Sequence, residues 1–128
     1  MSTVFQRKLS PKCQDLGVFS VPCEIGNLCF DKVMLDLGVS INVMPRSVYD
    51  KLNLGELKKT SIVIQLADRS NTYPDGVVED VLVQVNELVF PVDFYIINMG
   101  EACHDIPILL GRSFFKQLGL KLMCMKEH

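Results

Sequence analysis

Residues 33–44 read VMLDLGVSINVM, in which an apolar run delivers an aspartate to a glycine turn and a second apolar segment follows at once. A strand that ends in Asp-x-Gly and folds back into the core holds its carboxylate in a buried, fixed position. Asp36-Leu37-Gly38 is also common turn chemistry, so alone it indicates no more than a turn. About seventy residues downstream, residues 108–112 (ILLGR) repeat the pattern of an apolar strand closing on glycine. We expect these two strands to cross and to support each other's turns.

Length and composition indicate one soluble globular domain. The chain has 128 residues, of which 48% are hydrophobic and 22% charged, enough for a substantial core. Thirteen basic and fifteen acidic residues give a net charge of -2, and tryptophan is absent. Because there is no basic stripe and no tryptophan for base stacking, we expect no nucleic-acid partner.

Neither a leader nor a membrane segment is expected. Residues 1–8 (MSTVFQRK) contain no apolar stretch that could serve as a signal peptide, and no run approaches about twenty apolar residues. We therefore expect a cytoplasmic or nuclear location, no secretion and no membrane partner.

The cysteines and histidines do not have the spacing of a metal site. Cys23 and Cys29 lie on either side of a Gly-Asn turn and could face each other, although a buried thiol is the favoured interpretation in a reducing compartment. There is no CxxC motif, and we interpret His104 and His128 as surface or structural residues. We expect no metal and no cofactor. The five cysteines are Cys13, Cys23, Cys29, Cys103 and Cys124.

Hydropathy alternation predicts a mostly β chain. A short helix is expected at 45–52, where a proline starts a segment with apolar residues three to four positions apart and Gly55 lies beyond its end. Pro22 suggests that the first strand lies at an edge. Short strands at this spacing predict a closed or nearly closed barrel, and residues 1–16 read as an arm or linker. The predicted strands are 18–25, 28–35, 62–66, 77–85 and 87–97, with turns at 26–27 and near Asn86.

Four ordered motifs give the chain a family resemblance. From about Leu9 to Phe115 it resembles the retropepsin-like aspartic protease domain of plant long-terminal-repeat (gypsy-type) retrotransposon polyproteins. The resemblance implies an all-β, retropepsin-like closed barrel over residues 17–116. The motifs are LDLGVS at 35–40, NVMP at 42–45, LADRS at 66–70 and ILLGR at 108–112.

The resemblance also implies which residues form the active site and the flap. The implied catalytic residue is Asp36. Its active-site loop consists of Leu37, Gly38, Val39 and Ser40. A flap that closes over a peptide substrate is implied for Ala67, Asp68, Arg69, Ser70, Asn71, Thr72 and Tyr73. The supporting glycine turn consists of Leu109, Leu110 and Gly111.

If the chain works as a protease, one Asp-x-Gly at the end of an apolar strand, on a chain too short for two lobes, implies a homodimer. A carboxylate cleaves peptides well when it shares a proton with a second carboxylate, because two like charges about 3 Å apart cannot both ionise. The second aspartate must come from another copy of the chain. No G-x-S-x-G supports a serine triad, and nothing places a Cys/His pair. We interpret Asp31, Asp80, Asp93 and Asp105 as solvated, since none is followed by a glycine turn.

Two departures from the family pattern bear on activity. Active retropepsins usually carry Thr or Ser after the aspartate, where the hydroxyl bonds across the dimer, and this chain has Leu37. Leucine is common at this position in the plant group. The tail, residues 117–128, also lacks the terminal strand resembling I-D-V-H-x-G.

The absence of a single base from the coding sequence would explain why the tail departs from the family pattern. One base inserted after the Lys116 codon, with suitable synonymous codons, changes the downstream reading to TARTKIDVHEGT, so we infer a frameshift. The alternative is a natural variant of the tail. The leading hypothesis is an aspartic endopeptidase domain derived from a retrotransposon polyprotein. The competing hypothesis is an inactive remnant or interaction domain that keeps the barrel.

Overall fold

The structure, a computed structural model, describes residues 18–65, 71–98 and 108–126. In chain order the elements are β1 (Val18–Ile25), β2 (Leu28–Asp36), β3 (Asn42–Pro45), α1 (Arg46–Leu52), β4 (Ile64–Gln65), β5 (Asn71–Thr72), β6 (Gly76–Val85), β7 (Leu88–Ile97), β8 (Leu109–Leu110) and α2 (Arg112–Lys126). Within these residues six strands close a barrel in the order β1-β2-β8-β3-β7-β6, and two short strands pair as a separate sheet, β4-β5. The predicted all-β closed barrel with short helices is confirmed.

Two long antiparallel hairpins, β1-β2 and β6-β7, supply most of the barrel wall. Each turns on a residue in the left-handed region, Gly26 with φ 62° and Asn86 with φ 55°, which glycine and asparagine adopt at low cost. Both predicted turns are confirmed. The strand predicted at 62–66 is shorter, because pairing with β5 begins at Ile64, and residue 66 lies outside the described residues.

Pro22 does not mark an edge strand, contrary to the prediction. β1 pairs with β2 on one side and, through Glu24 and Ile25, with β6 on the other. The β1-β2 register shifts between Val21 and Cys23. A proline, which has no N–H to donate, is tolerated at such an irregularity inside a sheet.

β8 is the strand that completes the barrel next to Asp36. It runs parallel to β2, with Leu109 opposite Met34 and Leu110 opposite Leu35, and antiparallel to β3. The N–H of Met34 also donates a hydrogen bond of 3.0 Å to the carbonyl of Ile108. A late segment of the chain therefore lies between two early strands, and the two glycine-closed motifs come side by side.

The core fills the barrel with branched and aromatic side chains. β7 alternates a buried and an outward-facing set, the pattern of a strand with one face on the core. Phe90 on β7 meets Phe114 of α2 edge to face, with ring centroids 4.9 Å apart. The largest fully buried side chains are Phe90, Phe94, Phe114, Ile25, Met44, Ile64, Ile96, Ile97, Leu109, Leu110, Val33 and Val39.

Both helices pack against this core, α1 through Leu52 and α2 through Phe114. α1 begins after Pro45 and ends at Leu52, and its C-cap Asn53 is left-handed with a φ of 51°, so the predicted helix at 45–52 is confirmed. α2 continues without a break from Arg112 past residue 117, where the sequence suggested a boundary. Within the described residues no helix has the length and hydropathy that crossing a membrane requires.

Candidate active site

Asp36 is the last residue of β2, and its carboxylate lies inside a tight turn. The side chain is only 4% exposed. Its Oδ1 accepts a 2.8 Å hydrogen bond from the N–H of Gly38, and its carbonyl accepts one of 3.2 Å from the N–H of Val39. A Cβ at position 38 would lie 3.2 Å from Oδ1, so glycine leaves the carboxylate its room. The turn thus fixes where the acid points.

The other side chains of the loop, those of Leu37, Val39 and Ser40, differ in their exposure to solvent. Leu37 is 42% exposed beside the carboxylate, whereas Val39 is fully buried and anchors the loop. Ser40 is half-buried. The carbonyl of Leu37 accepts a hydrogen bond of 3.2 Å from Nη1 of Arg112. One side of the loop therefore carries an exposed apolar side chain, and the other is tied to α2.

The backbone of Gly111 packs closely against the backbone of this loop. A methyl group at position 111 would overlap the carbonyl oxygens of Val39 and Ile41, so glycine is required here by contact and not by its φ angle. The next residue, Arg112, donates its main-chain N–H to the carbonyl of Val39 at 2.7 Å. The predicted glycine turn, including buried Leu109 and Leu110, is thus brought directly against the Asp36 loop.

Asn42 is a site residue that the sequence reasoning missed. It is 5% exposed, and its Oδ1 accepts a 2.8 Å hydrogen bond from the N–H of Gly111. Its Nδ2 donates to the carbonyl of Asp93 at 3.1 Å and to Oγ of Ser113 at 3.3 Å. An asparagine within an apolar segment was the available signal, because a buried amide must find hydrogen-bond partners.

The predicted flap lies only partly within the described residues. Asn71 and Thr72 form β5, which pairs antiparallel with β4, and Tyr73 is 70% exposed beyond it. This arrangement is a hairpin stem separate from the barrel. The flap itself stays a prediction, because the remaining flap residues, Ala67, Asp68, Arg69 and Ser70, lie outside the described residues.

A pocket of about 410 Å³ opens next to Ser40. Asp80 and Asp93 on its wall are exposed, as is Asp31 on β2, and these three predictions of solvated aspartates are confirmed. Asp105 lies outside the described residues. Among the residues that the structure describes, no group of three or more His, Cys, Asp or Glu side chains could hold a metal ion. The pocket is lined by Ser40, Ile41, Asn42, Asp80, Pro91, Asp93, Tyr95, Ser113 and Gln117.

Cys23 and Cys29 are both free thiols on the first hairpin. Cys23 faces the core and Cys29 faces solvent, and each stands opposite another residue, Phe30 and Glu24 respectively. Burial raises the pKa of the Cys23 thiol to about 11. The buried-thiol interpretation is confirmed for Cys23 and wrong for Cys29, which is an exposed free thiol.

Comparison with known proteins agrees with this geometry. A family model described as aspartyl protease matches residues 21–114, a range that includes the Asp36 loop, Asn42 and the Gly111 turn. Among solved structures the chain is similar to the EIAV protease complexed with the inhibitor HBY-793, with a TM-score of 0.53 and 18% identity over 78% of this chain and 86% of that one. No curated protein sequence matches the chain.

Proposed function

The chain belongs to the aspartyl protease family, and we propose that it is one subunit of a homodimeric aspartic endopeptidase to which each subunit contributes Asp36. One observation carries the proposal. Among the described residues Asp36 is the only carboxylic acid whose side chain is buried, and it sits in a turn supported by Gly111 and Arg112. A carboxylate fixed in this way can be brought against an identical one by a two-fold axis.

Two such carboxylates would work as a unit. When they share one proton, the ionised member removes a proton from water as the water attacks the scissile carbonyl, and the protonated member donates its proton to the carbonyl oxygen. As the C–N bond breaks, the first carboxyl donates the proton that it took from water to the departing nitrogen, and a hydroxyl of the tetrahedral intermediate returns a proton to the other carboxylate. Because the pair must hold one proton, and carboxylic acids keep protons only at acidic pH, we expect activity to be highest there.

The exposed position of Leu37 suits this arrangement. A leucine side chain beside the carboxylate is 42% exposed in the isolated subunit, and it would be covered where two Asp36 loops meet. We propose that it contributes apolar contact at the two-fold axis in place of a hydroxyl hydrogen bond.

We propose further that the substrate is a peptide segment of a polyprotein, and that the chain derives from a plant retrotransposon. The support is the motif resemblance from LDLGVS at 35–40 to ILLGR at 108–112. The hairpin stem at β4-β5 would carry the flap that covers the substrate and excludes water.

A second candidate is an inactive remnant or interaction domain that keeps the barrel. The observation that favours it is the course of the tail. Residues 117–126 continue α2, where the retropepsin pattern would have a terminal strand joining the two subunits. The same residues leave Leu120 and Met123 more than half exposed.

The decisive experiment compares Asp36→Asn with Asp31→Asn. Asp31 is an exposed aspartate on the same strand, so its replacement controls for the loss of a charge. Peptide cleavage at acidic pH should be blocked by a transition-state analogue of the aspartic class, should survive in Asp31→Asn and should vanish in Asp36→Asn. Cleavage that persists in Asp36→Asn removes the aspartic mechanism, and a parent chain with no cleavage supports the remnant.

A further inference from the structure

Asn42 joins three parts of the barrel through one buried carboxamide. Its acceptor oxygen takes the N–H of Gly111, and its amide nitrogen reaches the carbonyl of Asp93 on β7 and the hydroxyl of Ser113 on α2. Burying an amide is costly unless its hydrogen bonds are made. Here both ends of the carboxamide are bonded, so the side chain acts as a fixed cross-link.

The bond to Gly111 leads directly to the Asp36 loop. Gly111 lies so close to the backbone of the loop that a Cβ would overlap the carbonyl oxygens of Val39 and Ile41. Arg112, the next residue, donates its N–H to Val39 and its guanidinium to the carbonyl of Leu37. A displacement of Gly111 is therefore transmitted to residues one and three positions after Asp36.

The other end of the cross-link is held by the barrel wall. The carbonyl of Asp93 belongs to β7, which pairs with β3 in parallel from Asn42 to Pro45 and with β6 along most of its length. Ser113 lies in the first turn of α2. The two groups that accept hydrogen bonds from Asn42 Nδ2 therefore belong to β7 and α2, and not to the Asp36 loop.

We infer that Asn42 is a positioning residue for Asp36. Its carboxamide fixes the positions of Gly111 and Arg112, and the contacts of these two residues fix the conformation of the Asp36 turn. The inference rests on the proposed function, because it assigns Asn42 a role in the peptidase reaction. The side-chain hydrogen bonds of Asn42 run to Gly111, Asp93 and Ser113, so it acts on Asp36 through the β8-α2 junction. Its loss should therefore lower kcat more than it raises KM.

Asn42→Val and Asn42→Thr form a matched pair for the test. The two replacements have nearly the same shape and both suit a strand, but only threonine offers an oxygen that could accept from Gly111. Asn42→Val should lower kcat by about tenfold or more, since a misplacement of about 1 Å can cost on the order of 100-fold. Asn42→Thr should recover part of that loss.

A core variant controls for stability. Val83 is fully buried on β6, where its strand partners are Ile25 and Phe90 and not the partners of Asn42, and Val83→Ala destabilises the barrel by opening a cavity. At a temperature at which all variants are folded, Val83→Ala should keep the parent kcat. An equal loss of kcat in Val83→Ala and Asn42→Val would overturn the positioning role.

A readout without catalysis separates this inference from the proposed function. In amide NMR spectra, Asn42→Val should shift the Gly38 N–H resonance, Asn42→Thr should shift it less, and Val83→Ala should leave it in place. These results in a chain that cleaves no peptide would retain the geometric link while refuting the endopeptidase. An unchanged Gly38 resonance in Asn42→Val would refute the link itself.

A milder variant covers the case in which Asn42→Val does not fold. Ser113→Ala removes one partner of Nδ2 and leaves the bond to Gly111 in place. It should move the Gly38 resonance in the same direction as Asn42→Thr, by a smaller amount. A Gly38 resonance in Ser113→Ala that coincides with that of the parent would overturn the inference.

Discussion

The guanidinium of Arg112 donates a hydrogen bond of 3.2 Å to the carbonyl oxygen of Leu37, so the residue after the candidate catalytic acid is held by its own subunit. The main-chain N–H of Arg112 adds a second bond, of 2.7 Å, to Val39. We expected leucine at position 37 to leave the loop without a hydroxyl bond across the dimer. The backbone of the loop nevertheless has two fixed points within one chain.

Arg112→Lys tests the first of these fixed points. Lysine keeps the charge but lacks the planar fork that reaches the Leu37 carbonyl. We expect kcat/KM for peptide cleavage to fall about threefold to tenfold, because a charged hydrogen bond at an exposed position contributes about 1 kcal/mol. The free energy of unfolding should fall by less than about 1 kcal/mol. Lys116→Ala, also exposed on α2, is the control, and an equal effect there would refute the assignment.

Gly111→Ala and Gly119→Ala should have opposite effects on stability. At position 111 a methyl group overlaps the backbone of residues 39 and 41, whereas at position 119 nothing lies within 4 Å. Urea unfolding should show a loss of about 3 kcal/mol for Gly111→Ala. It should show a gain of about 0.5–1 kcal/mol for Gly119→Ala, which lies within α2. A neutral Gly111→Ala would mean that the two backbones separate easily.

Association of two chains should be weak. Residues 117–126 are helical, so the strand expected to join the subunits is not supplied by this segment. Sedimentation should find a monomer or a weak dimer at micromolar concentration. Replacing residues 117–128 by TARTKIDVHEGT should strengthen association, and a glycine-serine segment of equal length should not. A tight dimer of the unaltered chain would contradict the prediction.

Leu37→Thr distinguishes the effect of the active-site loop on activity from the effect of the tail. It is best made in the chain in which TARTKIDVHEGT replaces residues 117–128. Because Leu37 is 42% exposed, its truncation should change the free energy of unfolding of the monomer by less than about 0.5 kcal/mol. A hydroxyl could then bond across the proposed two-fold axis and raise activity or dimer stability. A variant that is both less stable and no more active would show that leucine belongs to a different, coherent packing.

Cys23 should make stability fall at alkaline pH. Burial raises the pKa of its thiol from 9.0 to about 11, so the folded chain keeps a proton that the unfolded chain releases. This contribution is complete below pH 9 and is lost as the pH rises to 11. The loss should amount to about 2 kcal/mol. Cys23→Ala should remove this part of the pH dependence in urea unfolding, and a parent and variant with parallel curves would refute it.

The sequence predicted the features that depend on neighbours in the chain. Gly26 and Asn86 carry left-handed turns whose chemistry is visible in a few residues, and Pro45 marks the start of α1. The helix end at Leu52 was also predicted, although the left-handed C-cap is Asn53 and not Gly55.

The features that escaped prediction depend on contacts between distant residues. A proline in a strand is compatible with either an edge strand or a bulge. The pairing of β1 with β6, which closes the barrel, shows that β1 is not an edge strand. Asn42 gives no local sign of its partners, since Asp93 and Gly111 are 51 and 69 residues away. The pairing of the Asp36 and Gly111 turns was predictable because both motifs repeat one recognisable pattern.

The position of β8 between β2 and β3 has a consequence for the timing of folding during synthesis. The two hairpins can form from local contacts as they leave the ribosome. The Asp36 turn obtains Gly111 and Arg112 only after residues 108–112 have emerged, so a partly made chain carries the acid without its supports. In a longer precursor this order would delay hydrolysis of the nascent polypeptide until the domain is whole.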